Sequence, residues 1–420
     1  MGGHNRPNIL LVFTDQQRFD TISHHLTSFD TETPGMDALC RRGVFFDSCY
    51  TTAPICGPAR STLLTGLTPT QAGMPGNLGT PSAPLNYNIT TVAHRMHEAG
   101  YKTVYHGKSH VGSELDHYGF DVAFENTEDF STRLEASRFW RNRDWVWQKR
   151  PFFHVVSFIN PHDIYYLDPD RTESPELPPW PNQHDTLEGK PSCQKARHDP
   201  GRWTDERWEY YRRFYGECLA EVDEHLNMLI RELIRGGFGP NAWVIFASDH
   251  GDMGGEHGIP FKGPMMYEGV THVPLVICPP WTRMAGAYKT DYPTGDFEPF
   301  TSSVLCSLID VVPTMLDIAG IEPDSDLPGR SLLPVVKGEP FEEHDAVFAE
   351  WAHGTAVRMI RTCEWKYNVY KGAGEELYDL QNDPHEVQNL AGDPAHAAVQ
   401  ADLDRRLREY LDRTGDPFFS

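Results

Sequence analysis

Four short apolar runs in this chain each end in residues able to bind ions or move protons. Asn8 to Thr14 leads into Asp15-Gln16-Gln17, and Tyr101 to Tyr105 into His106-Gly107-Lys108-Ser109-His110. Phe152 to Ile159 leads into Asn160-Pro161-His162-Asp163, and Trp243 to Ala247 into Ser248-Asp249-His250-Gly251-Asp252. Carboxylates, an amide oxygen and an imidazole are donors a divalent cation accepts, whereas Lys108, His110 and His162 can hold anions or carry protons. A fifth cluster, Ile55-Cys56-Gly57-Pro58-Ala59-Arg60-Ser61-Thr62-Leu63-Leu64-Thr65-Gly66, sets a thiol four residues before a guanidinium. Pro58 suits the first turn of a helix that Ser61 to Leu64 continues, so Cys56 falls at its N-terminus. Unpaired amides and the helix dipole there favour an anion or an activated nucleophile, and Arg60 can reach back to an oxyanion. The plainer alternative is a buried cysteine ahead of a proline-started helix, with Arg60 in a surface ion pair. Taken singly, each strand-end cluster also reads as an ordinary turn.

The elements that must position these groups follow from the pattern around them. Near-continuous β-branched and aromatic runs of this length are what strands buried on both faces look like. Helical patterns lie between them, Thr91 to Ala99 and Thr204 to Arg235 among them. Alternating strands and helices predict an α/β fold with a large, mostly parallel sheet flanked by helices, whose ligands gather at the carboxyl ends of the strands. The clusters at 15, 108, 162 and 249 are therefore expected at one edge. Leu167 to Arg202, rich in Pro and charged residues, is expected to cover that edge as a substrate loop, and Tyr288 to Pro299 is a second Pro/Gly/Asp-rich excursion. After Glu343 short strands crowd together (346–349, 355–358, 365–370, 376–380) ahead of an amphipathic helix over roughly 394–410, with Asp393 to cap it. This predicts a catalytic domain over 1–343 and a C-terminal subdomain over 344–420, made of an antiparallel sheet and a terminal helix.

The chain has 420 residues, and 37 Lys+Arg against 60 Asp+Glu give a formal charge of −23. That balance argues against a general nucleic-acid partner, which needs a basic surface, but not against a local cationic pocket for a small anion. The longest apolar candidate for a membrane span, Val304 to Ala319, is broken by Asp310, Pro313 and Asp317. With no charged segment followed by an apolar one at the N-terminus, a cytoplasmic location is expected, or a periplasmic or secreted one if a signal has been removed. The eight cysteines are scattered without close pairs, as in a chain of reduced thiols. Trp140, Trp145, Trp147, Tyr165, Tyr166, Trp180 and Trp203 cluster around the expected substrate loop, where they either stack on a ligand or stiffen the loop.

The Cys56-Gly-Pro58-Ala-Arg60 helix, the opening Asn-Ile-Leu-Leu-Val-Phe-Thr-Asp, Gly107-Lys-Ser-His-Val-Gly112, Ser248-Asp-His-Gly251 and the ending Glu376-Leu-Tyr-Asp-Leu-Gln-Asn-Asp-Pro384 together resemble the type I sulfatases of the alkaline phosphatase superfamily. The resemblance runs over nearly the whole chain. It implies an alkaline-phosphatase-like fold and hydrolysis of a sulfate monoester of a carbohydrate or a small alkyl or aryl alcohol. It also implies that a formylglycine-generating or anaerobic maturation enzyme converts Cys56 to Cα-formylglycine. The hydrated aldehyde, a gem-diol on a divalent metal, then attacks sulfur with one hydroxyl and expels sulfate with the other. Carried over residue by residue, Asp15, Gln16, Asp249 and His250 hold the metal together with residue 56. Lys108 contacts sulfate and formylglycine, and His110 assists the expulsion of sulfate. His162 stands near the leaving-group oxygen, and Lys262, in Gly258-Ile-Pro-Phe-Lys-Gly-Pro264, bridges sulfate and leaving group. Ca²⁺ is the family's usual ion. Gln16 and His250, like Asn77 as a substrate contact, resemble the choline sulfatase and phosphonate monoester hydrolase branches, and the smaller negative charge leaves Mn²⁺ or Mg²⁺ open beside Ca²⁺. Ser109 replaces the usual tryptophan between Lys108 and His110. Two alternatives stand beside the sulfatase reading: a phosphonate monoester or phosphodiester hydrolase with the same centre, and an inactive metal-binding relative with an unconverted Cys56.

Overall fold

The computed structural model describes residues 6–24, 29, 31–79, 83–142, 150–280 and 297–420. The four apolar runs are strands β1 (Asn8–Asp15), β4 (Lys102–Gly107), β6 (Phe152–Pro161) and β7 (Ala242–Ser248). With β2 (Val44–Phe46), β5 (Val122–Glu125), β8 (Leu275–Cys278) and β9 (Phe300–Ser302) they form one sheet in the order β5-β4-β6-β1-β7-β8-β2-β9. Pairing is parallel except around β8, which runs antiparallel to both β7 and β2. The sheet is mixed but mostly parallel, as expected. A small parallel pair, β3 (Cys49–Tyr50) and β10 (Cys306–Ser307), lies apart from it.

Alternation along β1 explains the layers. Ile9, Leu11 and Phe13 pack on one face with helices α2 (Cys56–Thr65) and α3 (Val92–Glu98). Leu10 and Val12 pack on the other with α1 (Pro34–Cys40), α4 (Asp129–Arg141) and α5 (Asp205–Arg235). Both faces of the central strands are dry, which is why the runs read as continuously apolar. Register then aligns the polar clusters: Thr14 lies beside Ser248, Asp15 beside Pro161, and Gly107 beside Ser157.

At the C-terminus, β11 (Val347–Trp351), β12 (Val357–Arg361), β13 (Trp365–Tyr370) and β14 (Gly374–Asp379) form an antiparallel meander. Leu403, Leu407 and Leu411 of helix α6 (Ala397–Thr414) pack in one cluster with Ile360, Tyr367 and Leu377 of that sheet. The helix starts later and runs further than expected. Asp393 caps a short 3₁₀ turn, Pro394–His396, by accepting from Ala395 N, and the α-helix begins only after it.

The loop 167–202 is held down at several points. Lys190 Nζ donates to Tyr378 Oη (3.0 Å), and Gln194 Nε2 donates to Glu376 Oε1 (2.9 Å), both on β14. Trp180 and Trp203 are buried in one cluster with Trp208, Tyr211 and Tyr215 of α5, and Trp140 is buried under the sheet against His154. These indoles are packing groups, because a ring enclosed on both faces has none left for a ligand. Tyr165 and Tyr166 stay 43% and 79% exposed. Trp145, Trp147 and most of the Tyr288 to Pro299 excursion lie outside the described residues. All eight cysteines are free thiols. Among the described residues no helix is long and apolar enough to cross a membrane.

Gly107, where β4 delivers Lys108, has φ +103°, and a Cβ there would stand 1.9 Å from the Ser157 carbonyl oxygen of β6. A Gly107→Ala substitution must separate the two strands, and is expected to cost about 1–3 kcal/mol in urea unfolding and to lower turnover as well, since Lys108 shifts with its strand.

Candidate active site

Helix α2 begins at Cys56, and all ten of its residues are buried. Its N-cap, Ile55, offers no side-chain acceptor. Asn77 supplies the missing one, since its Oδ1 accepts from Gly57 N at 2.8 Å. A Cβ at 57 would meet Met74 Cε at 2.8 Å and crowd the capping Asn77 Oδ1 at 3.1 Å, so glycine leaves room for this contact. Asn77 thus fixes the turn that presents residue 56, which is the observed part of its role.

Arg60, one turn further on, is fully buried, so the surface ion pair considered for it is not what forms. Its Nη2 donates to Asp15 Oδ2 (2.9 Å) at the end of β1, and its Nε donates to Asp249 Oδ2 (2.8 Å) just past β7. Its Nη1 reaches Ser157 Oγ (2.7 Å) on β6 and the carbonyl of Lys108. One guanidinium therefore ties helix α2 to the ends of β1, β4, β6 and β7. Lys108 Nζ adds a second cation on Asp15 Oδ2, at 2.6 Å.

The remaining donor atoms converge on one point. Asp15, Cys56, Asp249 and His250 each offer an atom within 4.8 Å of the others, and all four are buried. Cys56 Sγ lies 3.4 Å from Asp15 Oδ1 and 3.3 Å from His250 Nε2. His250 Nδ1 is 2.9 Å from the Gly251 carbonyl, which can only accept; this places the ring proton on Nδ1 and leaves the Nε2 lone pair facing the cluster. Gln16 turns its Oε1 to the same point, and Lys262 Nζ sits among these atoms: 2.8 Å from Gln16 Oε1, 3.0 Å from His250 Nε2 and 3.0 Å from Cys56 Sγ. An ammonium thus already lies where five inward-facing donors would surround a cation. Two carboxylates, an amide oxygen and an unprotonated imidazole fit a hard or borderline dication held by Asp15, Gln16, Asp249, His250 and residue 56.

Charge in this dry site is strongly redistributed. Burial and the neighbouring Cys56 push the Asp15 carboxyl up, but Lys108, His162 and Arg60 overcome both and hold it well below the usual range. Burial and then Asp15 push Asp249 the other way. Burial raises the Cys56 thiol, while Lys108 and then Lys262 outweigh it and leave the thiol well below its ordinary value. An atom at this position is therefore favoured as an anion.

The other expected residues also gather here. His110 lies close enough to Cys56 to help lower its thiol, and its Nδ1 is buried without a partner. It adopts φ +57°, which bends the chain so that Lys108 and His110 both turn inward. His162 is half-buried, close enough for its charge to act on Asp15, with its ring 4.9 Å from that of Tyr165. Tyr165 stacks on Phe261 at 4.5 Å and forms an exposed wall beside Lys262. Three supporting residues carry no sign of their role in the sequence. Ser157 lies inside an apolar strand, and Tyr211 looks like one more aromatic on the buried stripe of α5. Asp252 ends the quoted Ser248 to Asp252 run, and only the fold shows that it accepts from Gln16 Nε2 at 2.6 Å.

Removing the guanidinium would leave two buried carboxylates without their common partner. Arg60→Ala is therefore expected to lower stability by about 3–5 kcal/mol in chemical denaturation. Arg60→Lys should recover only part of this, because an ammonium cannot span both carboxylates as the planar fork does.

The sequence and fold agree with those of known proteins. The Sulfatase family model matches residues 7–321, and that of the N-sulphoglucosamine sulphohydrolase C-terminal region matches residues 255–413. The chain is 29% identical to Uncharacterized sulfatase YidJ of Escherichia coli (strain K12), covering 99% of this chain and 89% of that one. It is 28% identical to the choline-sulfatase of Rhizobium meliloti (strain 1021), covering 95% and 85%. A solved 2-O GAG sulfatase superposes with a TM-score of 0.83 at 26% identity, over 98% of this chain and 93% of that chain. The phosphonate monoester hydrolase of Agrobacterium radiobacter shares the fold, with a TM-score of 0.75 at 23% identity over 97% and 96%. With the family model spanning most of its length and the acid, imidazole and guanidinium groups meeting around Cys56, this chain belongs to the sulfatase family of sulfuric ester hydrolases.

Proposed function

We propose that this sulfatase cleaves the sulfate monoester of a saccharide, with residue 56 as the nucleophile after its conversion from cysteine to Cα-formylglycine. The observation that carries the reading is the convergence of Lys108 and Lys262 on an inward-facing Cys56 at a helix N-terminus, with Arg60 clamping Asp15 and Asp249 beside it. Two ammonium groups at one nucleophile, in a chain whose overall charge is −23, suit an anionic ester. Conversion and hydration of residue 56 would supply one hydroxyl to attack sulfur and a second to release the sulfate. A bound dication, Ca²⁺ or alternatively Mn²⁺ or Mg²⁺, would supply positive charge to the attacking oxygen and the sulfate.

The chain's own residues then have separate tasks. Lys108 and Lys262 hold the non-bridging sulfate oxygens, while Arg60 keeps Asp15 and Asp249 aligned. His162 stands where the alcohol departs and can deliver a proton to its oxygen as the S–O bond breaks. His110, near residue 56, can take the proton from the second hydroxyl when sulfate leaves. Asn77 holds the α2 turn that aims residue 56. Tyr165 forms an aromatic wall on which a sugar ring or other leaving group can lie.

When the chain is produced with a formylglycine-generating enzyme, the peptide containing residue 56 is expected to carry an aldehyde by mass spectrometry and to react with a hydrazide. An intact thiol in an active enzyme would refute the proposed nucleophile. In parallel assays the converted protein should hydrolyse an aryl sulfate or a sulfated monosaccharide faster than an aryl phosphonate monoester. The reverse preference would make it a phosphonate hydrolase, and no turnover on either would leave a binding protein. Lys262→Ala is expected to lower kcat about 10²- to 10³-fold, as the loss of a preplaced charge does.

A further inference from the structure

Gln16 occupies a position at which a neutral oxygen faces the cation site. Its backbone lies in the left-handed region, at φ +71°, which a side chain of this kind adopts only when its surroundings enforce it. Its N–H donates to Asp249 Oδ1 (3.0 Å), and its carbonyl accepts from Tyr215 Oη (2.6 Å). The backbone is thus held, but an amide side chain can still turn either its oxygen or its NH₂ towards the site, and only a neighbour can select between them.

Asp252 makes that selection. Its Oδ2 accepts from Gln16 Nε2 at 2.6 Å, which leaves Oε1 pointing inward. Asp252 is fully buried, and its other contacts are also from donors: Tyr211 Oη at 2.8 and 3.0 Å, and Gly254 N at 2.6 Å. Tyr211 Oη accepts from Phe261 N (3.1 Å), so its own proton is free to go to the carboxylate. Phe261 precedes Lys262, whose Nζ returns to Gln16 Oε1 at 2.8 Å. The contacts close a ring: Phe261 N–H to Tyr211, Tyr211 to Asp252, Asp252 to Gln16, and Gln16 to Lys262. With Asp15 and Asp249, Asp252 is a third carboxylate beside the site, set one side chain back from it.

We propose that Asp252, oriented by Tyr211, is a positioning residue for the cation site: it turns the Gln16 oxygen inward and supplies, from behind a neutral ligand, the negative charge that Gln16 lacks. The proposal rests on the reading of Asp15, Gln16, Asp249 and His250 as cation ligands. Partners in this outer position tune both ligand orientation and metal affinity. Here the ring also connects the backbone carrying Lys262 to the ligand its ammonium touches, so the placement of either depends on the other.

The test is Mn²⁺ and Ca²⁺ affinity of the full chain, measured by competition with a chelating dye, alongside urea unfolding of the metal-free protein. Asp252→Asn and Tyr211→Phe are expected to weaken binding about 10- to 100-fold, the Asn variant more, because it loses charge as well as geometry. Asp416→Asn is the control. It removes the charge of a buried carboxylate that accepts from Arg358 Nη2 at 3.0 Å near the C-terminus, and should lower the unfolding midpoint while leaving affinity unchanged. Wild-type affinity in both Asp252→Asn and Tyr211→Phe overturns the proposal. So does an equal loss in Asp416→Asn, which would mean that any destabilisation loosens the site. If Asp252→Asn does not fold, Tyr211→Phe decides alone. Failure of the wild-type chain to bind either ion is a distinct result, which removes the ligand reading and the proposal with it.

Discussion

The buried contact between Arg60 and two carboxylates, Asp15 and Asp249, is the constraint on which the rest of the site depends. Each carboxylate stands at the end of a different strand, and the guanidinium comes from a helix packed beneath both. Removed from water, none of the three charges is affordable alone, so helix, β1 and β7 can settle in only one relative arrangement. That arrangement also brings residue 56 within reach of Asp15, His250 and Lys262. A single interaction thus serves as a structural clamp and as the frame for the nucleophile. Ser157 and the carbonyl of Lys108 use the third nitrogen of the guanidinium, which extends the frame to β4 and β6.

Around this clamp the molecule separates apolar and polar duties by sheet geometry. The two faces of the sheet carry the cores, and the carboxyl edge carries the ionisable groups. At that edge the chain accepts conformations that cost energy elsewhere: Gln16, His110 and Phe261 are all non-glycine residues at positive φ. A left-handed residue turns the chain sharply past a strand end, whereas Asp15 and Cys56 reach the site from regular strand and helix.

The C-terminal sheet contributes to the same edge indirectly. Glu376, fully buried on β14, accepts from Gln194, Tyr267, Tyr370, Tyr378 and Asn368. Gln194 belongs to the loop 167–202, and Tyr267 lies just beyond Lys262. The carboxylate therefore anchors both segments that border the site. A loop rich in proline and charge, which reads as a free cover, is in fact pinned at its far side, and its tryptophans are used for packing.

The sequence by itself determined a good deal. Continuous β-branched runs exposed β1, β4, β6 and β7, because strands dry on both faces have no polar alternation to hide them. The parallel arrangement of those strands then put residues 15, 108, 162 and 249 at one edge, and the Cys56 to Gly66 helix stood out through its proline-started turn. Lys262 and Asn77 were legible only through resemblance to a family. Tertiary structure alone decided which partners those groups found: that Arg60 is buried rather than at the surface, that Asn77 caps Gly57, that Trp140, Trp180 and Trp203 are core, and that Tyr211 and Asp252 stand behind Gln16. These contacts join residues 20 to more than 230 positions apart. Spacing along a chain reports which face of a helix or strand a side chain shares, but carries no record of which distant side chain completes its hydrogen bonds.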